Sequence, residues 1–118
     1  MTELTATVDT YLAAWNEADP ARRAPLIEQV WAPDGTLVDP PLDGTGHDGI
    51  SAVADALHAH YPDHRFRRTG AVDAHHDRFR FTWELVRPDG TVAIAGLDVG
   101  EVAPDGRLAR VTGFFDEP

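Results

Sequence analysis

Apolar residues near the N-terminus recur at helical spacing. They are Leu4, Val8, Tyr11, Leu12 and Trp15. A one-sided stripe of this period predicts an amphipathic helix over 2–18. A second stripe of the same kind predicts another helix from about Asp48 to His60. That helix should end before Pro62, because proline cannot continue a helical hydrogen-bond ladder.

Proline and glycine divide the region between these two helices into short pieces. Asp19-Pro20 has the form of a helix N-cap followed by a first-turn proline. Pro25 predicts the start of a second short helical piece that carries Leu26, Ile27, Val30 and Trp31. Pro33-Asp34-Gly35 indicates a turn. Residues 36–39 then form a brief predicted strand that stops at Pro40-Pro41, because proline cannot donate to a strand ladder.

After Pro62 the pattern changes to the two-residue period of strands. Aromatic and polar residues alternate from Arg78 to Leu85, which predicts a half-buried strand with its aromatic side chains facing inward. Pro88-Asp89-Gly90 and Pro104-Asp105-Gly106 predict the turns of two successive hairpins. The predicted element order is α-α-β-α-β-β-β-β, an α+β fold.

The hairpin turns also set a predicted register. If each turn is a four-residue loop, Val86 lies opposite Thr91 and Val102 lies opposite Arg107. In that register one face of the three C-terminal strands, which includes Gly113 on the last strand, is apolar apart from Asp98. A one-residue slip would split the apolar sets between the two faces, so the pattern favours the first register. A carboxyl group on a buried face then requires an explanation.

Composition narrows the class of protein. The 118 residues include 20 Asp plus Glu and 10 basic residues, all of them Arg, for a net charge of -10. We therefore expect a single globular domain over 1–118 that does not bind nucleic acid or an anionic membrane. The chain has no Cys, which excludes disulfides and thiolate chemistry. It has no basic leader and no apolar run of membrane-spanning length, so a soluble cytoplasmic protein is expected.

Three residues are candidates for acid–base chemistry. A buried Asp98 without a cation would have a raised pKa and, when protonated, could donate a hydrogen bond. The alternative is that Asp98 accepts from backbone amides at a bulge near Gly96 and Gly100. Asp39 precedes two prolines and could be a general base, or simply open a turn. Tyr11 could present its hydroxyl to a site, or be a core aromatic residue.

Taken together, three segments resemble the nuclear transport factor 2-like superfamily, and within it the ketosteroid isomerases and SnoaL-like polyketide cyclases. Tyr11-Leu-Ala-Ala-Trp-Asn is similar to the first-helix segment that carries the oxyanion-hole Tyr. Thr36-Leu-Val-Asp39-Pro40 is similar to the strand end that carries the general-base Asp. Ala95-Gly-Leu-Asp98 is similar to the strand that carries the second oxyanion donor, a protonated Asp.

This resemblance implies a cone-shaped fold, in which a curved mixed or antiparallel sheet wraps around the long third helix and the other helices close a cavity. It also implies a homodimer formed through the sheet. The aromatic residues expected to line the cavity are Trp15, Trp31, Tyr61, Phe66, Phe79, Phe81, Trp83 and Phe115. His58 would reach the same cavity in a dehydratase-like site. A small hydrophobic ligand is the expected occupant.

The function implied by the resemblance is proton abstraction next to a carbonyl group, without a metal or other cofactor. Asp39 would remove the proton, while Tyr11 and a neutral Asp98, across the cavity from Asp39, would stabilise the enolate oxygen. Isomerisation and aldol-type cyclisation both pass through that enolate, and both stay open. The alternative is a non-catalytic domain of the same fold that binds a small ligand or a partner.

Overall fold

Three helices and two strands occupy residues 2–60, and five strands follow them. A computed structural model describes residues 2–116 and confirms the α+β class. In that range the elements are α1 (Thr2–Asn16), α2 (Pro20–Val30), β1 (Trp31–Val38), β2 (Asp43–Thr45), α3 (Gly46–His60), β3 (Arg65–Arg68), β4 (Asp73–His75), β5 (Arg78–Val86), β6 (Val92–Val102) and β7 (Leu108–Phe115). The short strands β2 and β4 were not predicted.

The strands form one mixed sheet that does not close into a barrel. Its order is β2-β1-β7-β6-β5-β3, with β4 paired to β5. The β1–β7 pair is parallel and the other pairs are antiparallel. Helix α3 packs against β1, β2 and α2, while α1 packs against α2 and β3. None of the helices within residues 2–116 is long and apolar enough to cross a membrane.

Helix α2 corrects the predicted break at Pro25. The helix runs without interruption from Pro20 to Val30, although Pro25 has no N–H to donate to the preceding turn. Asp19 caps the helix as predicted, and the buried side chains of Arg23 and Ile27 fix it to the rest of the molecule. These contacts offset the loss of one helical hydrogen bond, so two pieces are not needed.

The predicted turn at Pro33-Asp34-Gly35 lies inside β1 instead of between two elements. Trp31, which was assigned to the preceding helix, is the first residue of this strand. The pairing of β1 with β7 shifts between Trp31 and Thr36, so the turn residues form an irregularity within the strand. A Cβ at Gly35 would lie 2.6 Å from the Trp31 ring, which shows how tightly this segment folds.

Both hairpins keep the predicted faces but change the predicted partners. Asp98 lies opposite Phe81 and Gly113, whereas the four-residue turns placed Phe79 and Val111 there. Each hairpin contains a register shift close to its turn. In each hairpin the pairing is displaced by two residues, one at the turn and one at the register shift beside it. Because side chains alternate with a period of two, the inward face is preserved. Asp98 is 4% exposed, which confirms its predicted burial.

Arg23 is a fully buried cation that joins all three helices. Its guanidinium donates to the carbonyl oxygens of Glu17 and Ala18 just beyond the end of α1. On α3 it donates to Ser51 and lies 2.8 Å from Asp55 Oδ1. These contacts satisfy carbonyls that would otherwise lack donors at a helix end.

We expect Arg23→Ala to lower the free energy of unfolding by about 3 kcal/mol or more, because it leaves several acceptors without a donor. Chemical denaturation measures the change. Arg22→Ala on the same helix is the control, since Arg22 is exposed and makes only a 3.8 Å ion pair with Asp19. The control should stay within about 0.5 kcal/mol of wild type. Equal stability of the two variants would contradict a structural role for Arg23.

Candidate active site

Three neighbouring strands bring two carboxyl groups to the same point on the inner face. Strand β1 runs parallel to β7 with Val38 beside Thr112, so Asp39 follows next to Gly113. On the other side of β7, Gly113 is paired with Asp98 of β6. A Cβ built on Gly113 would lie 1.7 Å from Asp39 Oδ1 and 2.9 Å from Asp98 Oδ1. The two acids therefore occupy the space that a side chain at position 113 would fill.

Asp98 is held by two neutral donors. The Tyr11 hydroxyl donates to its Oδ2 at 2.7 Å, and the Trp83 indole Nε1 donates to its Oδ1 at 2.9 Å. Burial raises the pKa of Asp98 to about 7, and the two hydrogen bonds limit that rise while the charge of Asp39 adds to it. The proposed alternative, in which Asp98 accepts from backbone amides at a bulge, is not what these contacts show.

Asp39 lies just beyond the end of β1, in a short loop closed by its own backbone. Its N–H donates to the carbonyl oxygen of Leu42 at 2.7 Å, and the intervening Pro40–Pro41 peptide bond is cis. Its buried Oδ1 has no hydrogen-bond partner among the described residues. Burial raises the pKa of Asp39 to about 6, partly offset by the Gly113 backbone. An unpartnered carboxyl oxygen with a raised pKa is a candidate acid–base group.

Asp39 faces a cavity of about 360 Å³ between the sheet, the 39–42 loop and the end of α3. Besides Asp39, its wall consists of Pro40, Pro41, Leu42, Leu57, His60, Tyr61, Phe66, Trp83, Leu85, Ile94 and Phe115. We call this space the inner cavity. Its volume and its mostly apolar wall with one acid suit a small hydrophobic ligand.

The structure brings together some of the predicted site residues and separates others. Four predicted lining residues are in the wall of the inner cavity: Tyr61, Phe66, Trp83 and Phe115. Four others are buried in the core and are absent from that wall: Trp15, Trp31, Phe79 and Phe81. His58 Nε2 donates to the Trp15 carbonyl at 2.8 Å, beside a gap of only about 10 Å³, so His58 has a structural contact there.

The predicted catalytic residues also differ in their positions. Only Asp39 lies in the cavity wall, because Tyr11 and Asp98 bond to each other behind it. The resemblance implied that Tyr11 and Asp98 would both donate to a bound oxygen, with Asp39 across the cavity. Instead Asp39 and Asp98 are neighbours around Gly113. Tyr11 and Asp98 are therefore absent from the wall that Asp39 lines.

Sequence reasoning missed three features of this site. His60 lines the cavity in place of His58, and the helical period contained that information, since the two lie on different faces of α3. Gly113 was predicted only to face inward, and the space that its missing side chain leaves for the two carboxyl groups was not predicted. Trp83 was expected to line the cavity, but its donation to Asp98 had no signal in the sequence.

A larger depression of about 530 Å³ lies elsewhere on the sheet, and it holds none of the predicted site residues except Phe79, which was expected to line the inner cavity. Its wall includes Arg78, Arg80 and Arg110. Arg78 and Arg80 are already paired with Asp77 and Asp73. We therefore place the candidate site at the inner cavity, where the unpaired carboxyl lies.

Comparison with known proteins identifies the family. The profile of the SnoaL-like domain matches residues 8–111. The chain belongs to the SnoaL-like family. A crystal structure of a proposed isomerase of this family from Agrobacterium tumefaciens is 41% identical, with a TM-score of 0.93 over 99% of this chain and 100% of that chain. The SnoaL-like resemblance noted in the sequence is thus confirmed.

More distant structures share the fold. A proposed SnoaL-like polyketide cyclase from Jannaschia is 17% identical, with a TM-score of 0.69 over 93% of this chain and 85% of that one. A protein with a ketosteroid isomerase-like fold from Catenulispora acidiphila, in complex with trimethylamine, is 16% identical, with a TM-score of 0.74 over 93% of this chain and 85% of that chain. No curated protein sequence matches the chain. At these identities the likeness shows the fold alone.

The raised pKa values predict how stability depends on pH. Between about pH 4 and pH 7 the folded state holds protons on Asp39 and Asp98 that an unfolded chain has released. Their contribution is therefore fully present at low pH and is lost as the pH rises through about 6 to 7. As the pH rises from 4.5 to 8, we therefore expect wild type to lose about 1–3 kcal/mol more of its free energy of unfolding than Asp39→Asn loses.

Denaturation curves at the two pH values measure this difference. The exposed Glu28 on α2 provides a control, since Glu28→Gln should follow wild type at both pH values. If Asp39→Asn also follows wild type, Asp39 does not titrate in the folded protein as its burial predicts.

Proposed function

We propose that this SnoaL-like chain catalyses proton transfer next to a carbonyl group of a small hydrophobic compound, with Asp39 as the general base. The observation that carries the proposal is the Asp39 carboxyl, which lies in an otherwise mostly apolar cavity wall and whose buried Oδ1 accepts no hydrogen bond from the described residues. A base with a pKa near 6 is still ionised at neutral pH, and is stronger than an exposed Asp.

The reaction begins when ionised Asp39 takes a proton from the carbon next to the carbonyl. The electron pair of that C–H bond moves to the carbonyl oxygen and forms an enolate, while Asp39 becomes a neutral acid. In an isomerisation Asp39 returns the proton to another carbon of the same molecule. In an aldol-type cyclisation the enolate carbon attacks a second carbonyl carbon, and the resulting alkoxide takes the proton.

The enolate oxygen needs a hydrogen-bond donor in the wall of the cavity. Tyr61 and His60, at the end of α3, are wall residues that carry donor groups. We propose them for this role in place of Tyr11 and Asp98, whose mutual hydrogen bond keeps them behind the wall. A well-placed donor typically lowers the barrier by about 3 kcal/mol.

Turnover of a panel of cyclic β,γ-unsaturated ketones and related enones tests the proposal. We expect Asp39→Asn to reduce kcat by about 10²–10⁴-fold, the usual contribution of a general base. With wild type, kcat/KM should fall as the pH drops below about 6, because protonated Asp39 cannot accept a proton.

Glu28→Gln is again the matched control and should retain wild-type rates. Equal rates for wild type and Asp39→Asn would exclude Asp39 as the base. Absence of turnover on the whole panel would favour the non-catalytic alternative.

A second candidate function is binding of a small organic ammonium ion. Trp83 makes edge contacts with Phe66 and Phe115, with ring centroids 5.3 and 5.9 Å apart, and all three residues lie in the cavity wall that also contains Asp39. Aromatic faces and a carboxylate together attract such cations. The trimethylamine complex of the Catenulispora protein supports the same idea for this fold.

Calorimetric titration with trimethylamine and with uncharged tert-butyl alcohol, which has a similar size, separates the two functions. A cation site should bind trimethylammonium at least about tenfold more tightly than the alcohol, and Asp39→Asn should remove that preference. Equal affinity for the two ligands would reject the second candidate.

The predicted homodimer and cytoplasmic location stay predictions. The outer face of the sheet carries exposed Val38 and Phe114, each 53% exposed, on the paired strands β1 and β7. This is the kind of apolar surface that a second copy would cover.

A further inference from the structure

Asp39 and Asp98 differ in the hydrogen bonds that their carboxyl oxygens accept. Both Asp98 oxygens accept a hydrogen bond, one from Tyr11 and one from Trp83. Asp39 Oδ1 accepts none from the described residues, although it is buried. It occupies the position that a Cβ of Gly113 would take, and such a Cβ would also lie 2.9 Å from Asp98 Oδ1.

No cation compensates either acid. The ion pairs found in residues 2–116 include neither Asp39 nor Asp98. Both carboxyl groups have an oxygen within 3 Å of the same point beside Gly113. Two carboxylates so close together, away from water, repel each other, so full ionisation of both is disfavoured. A proton between them removes one charge and also gives Asp39 Oδ1 the hydrogen-bond partner that it lacks.

We infer that Asp98 is a positioning residue for Asp39, and that the two carboxyls share one proton across the space left by the missing side chain of Gly113. The inference concerns the resting state of the pair. Its catalytic consequence rests on the proposed function.

Sharing one proton keeps the charge of the cavity constant during the reaction. The resting pair carries one negative charge. When it takes the substrate proton, the pair becomes neutral and the enolate carries the negative charge. When the proton returns to the substrate, the pair regains its charge. The low-polarity cavity therefore never contains two negative charges, which would be costly there.

The other groups around the pair are consistent with this state. Tyr11 faces it from α1, and burial followed by the charges of Asp98 and Asp39 raises the pKa of Tyr11 well above its usual value, so its hydroxyl stays a donor. Trp83 faces the pair from β5 and carries no charge. His60 and Tyr61 from α3 share the cavity wall with Asp39.

Carbon-13 NMR titration of the two Asp carboxyl carbons tests the inference without a substrate. In wild type, both carbons should report the same two steps, separated by more than about one pH unit, because a coupled pair titrates as a unit. In Asp98→Asn, the Asp39 carbon should show a single step between them. The exposed Asp73 gives the control, and Asp73→Asn should leave both curves unchanged.

Gly113→Ala provides a second variant that keeps both acids. Its Cβ would displace Asp39 Oδ1, so we expect the two carboxyls to separate and each to titrate in one step. Gly70→Ala is the matched control, because a Cβ there makes only an ordinary 3.7 Å contact with Thr82. Single independent steps in wild type, or an Asp39 midpoint unchanged by Asp98→Asn, would overturn the inference.

Failure of this inference is distinguishable from failure of the proposed function. A shared proton in the NMR titration together with equal turnover of wild type and Asp39→Asn would reject the reaction and keep the pair. Independent titration together with a large loss of turnover in Asp39→Asn would reject the pair and keep the base.

Discussion

The burial of two carboxyl groups without a cationic partner among residues 2–116 is the constraint on which the site depends. Transfer of a charged carboxylate into a protein interior costs several kcal/mol unless hydrogen bonds, a counter-ion or a proton compensate it. Here Tyr11 and Trp83 provide the hydrogen bonds to Asp98. The strand order β1-β7-β6 brings the second acid alongside, and only a glycine at position 113 leaves room for both.

Trp83 connects this constraint to the shape of the inner cavity. Its indole N–H holds Asp98, while its ring forms part of the cavity wall and contacts Phe66 and Phe115. The ring can lie there because Gly96 on the neighbouring strand has no side chain, since a Cβ at that position would be 2.3 Å from Trp83 Cζ2. The position of Asp98 and the space available to a ligand are therefore set by the same residue.

Local periodicity predicted most of the elements, and non-local pairing decided the site. The helical stripes located α1 and α3, and the alternation from Arg78 to Leu85 located β5, because these patterns depend only on which face is buried. The inward face of Asp98 survived a two-residue change of register for the same reason. The parallel pairing of β1 with β7 joins residues far apart in sequence, so the meeting of Asp39 and Asp98 around Gly113 had no local signal.

Partial burial of Asp39 lowers the stability of the folded protein at neutral pH, and it also raises the pKa of the carboxyl group, which makes it a stronger base. An exposed Asp is ionised at neutral pH but is a weak base, whereas a fully buried one is protonated and cannot act as a base. Asp39 lies between these limits, because its Oδ1 is buried beside Gly113 while the residue also lines the inner cavity. A SnoaL-like fold does not by itself specify a reaction. In this chain, the partial cover over Asp39 and the second acid behind it are the features that favour proton transfer over simple ligand binding.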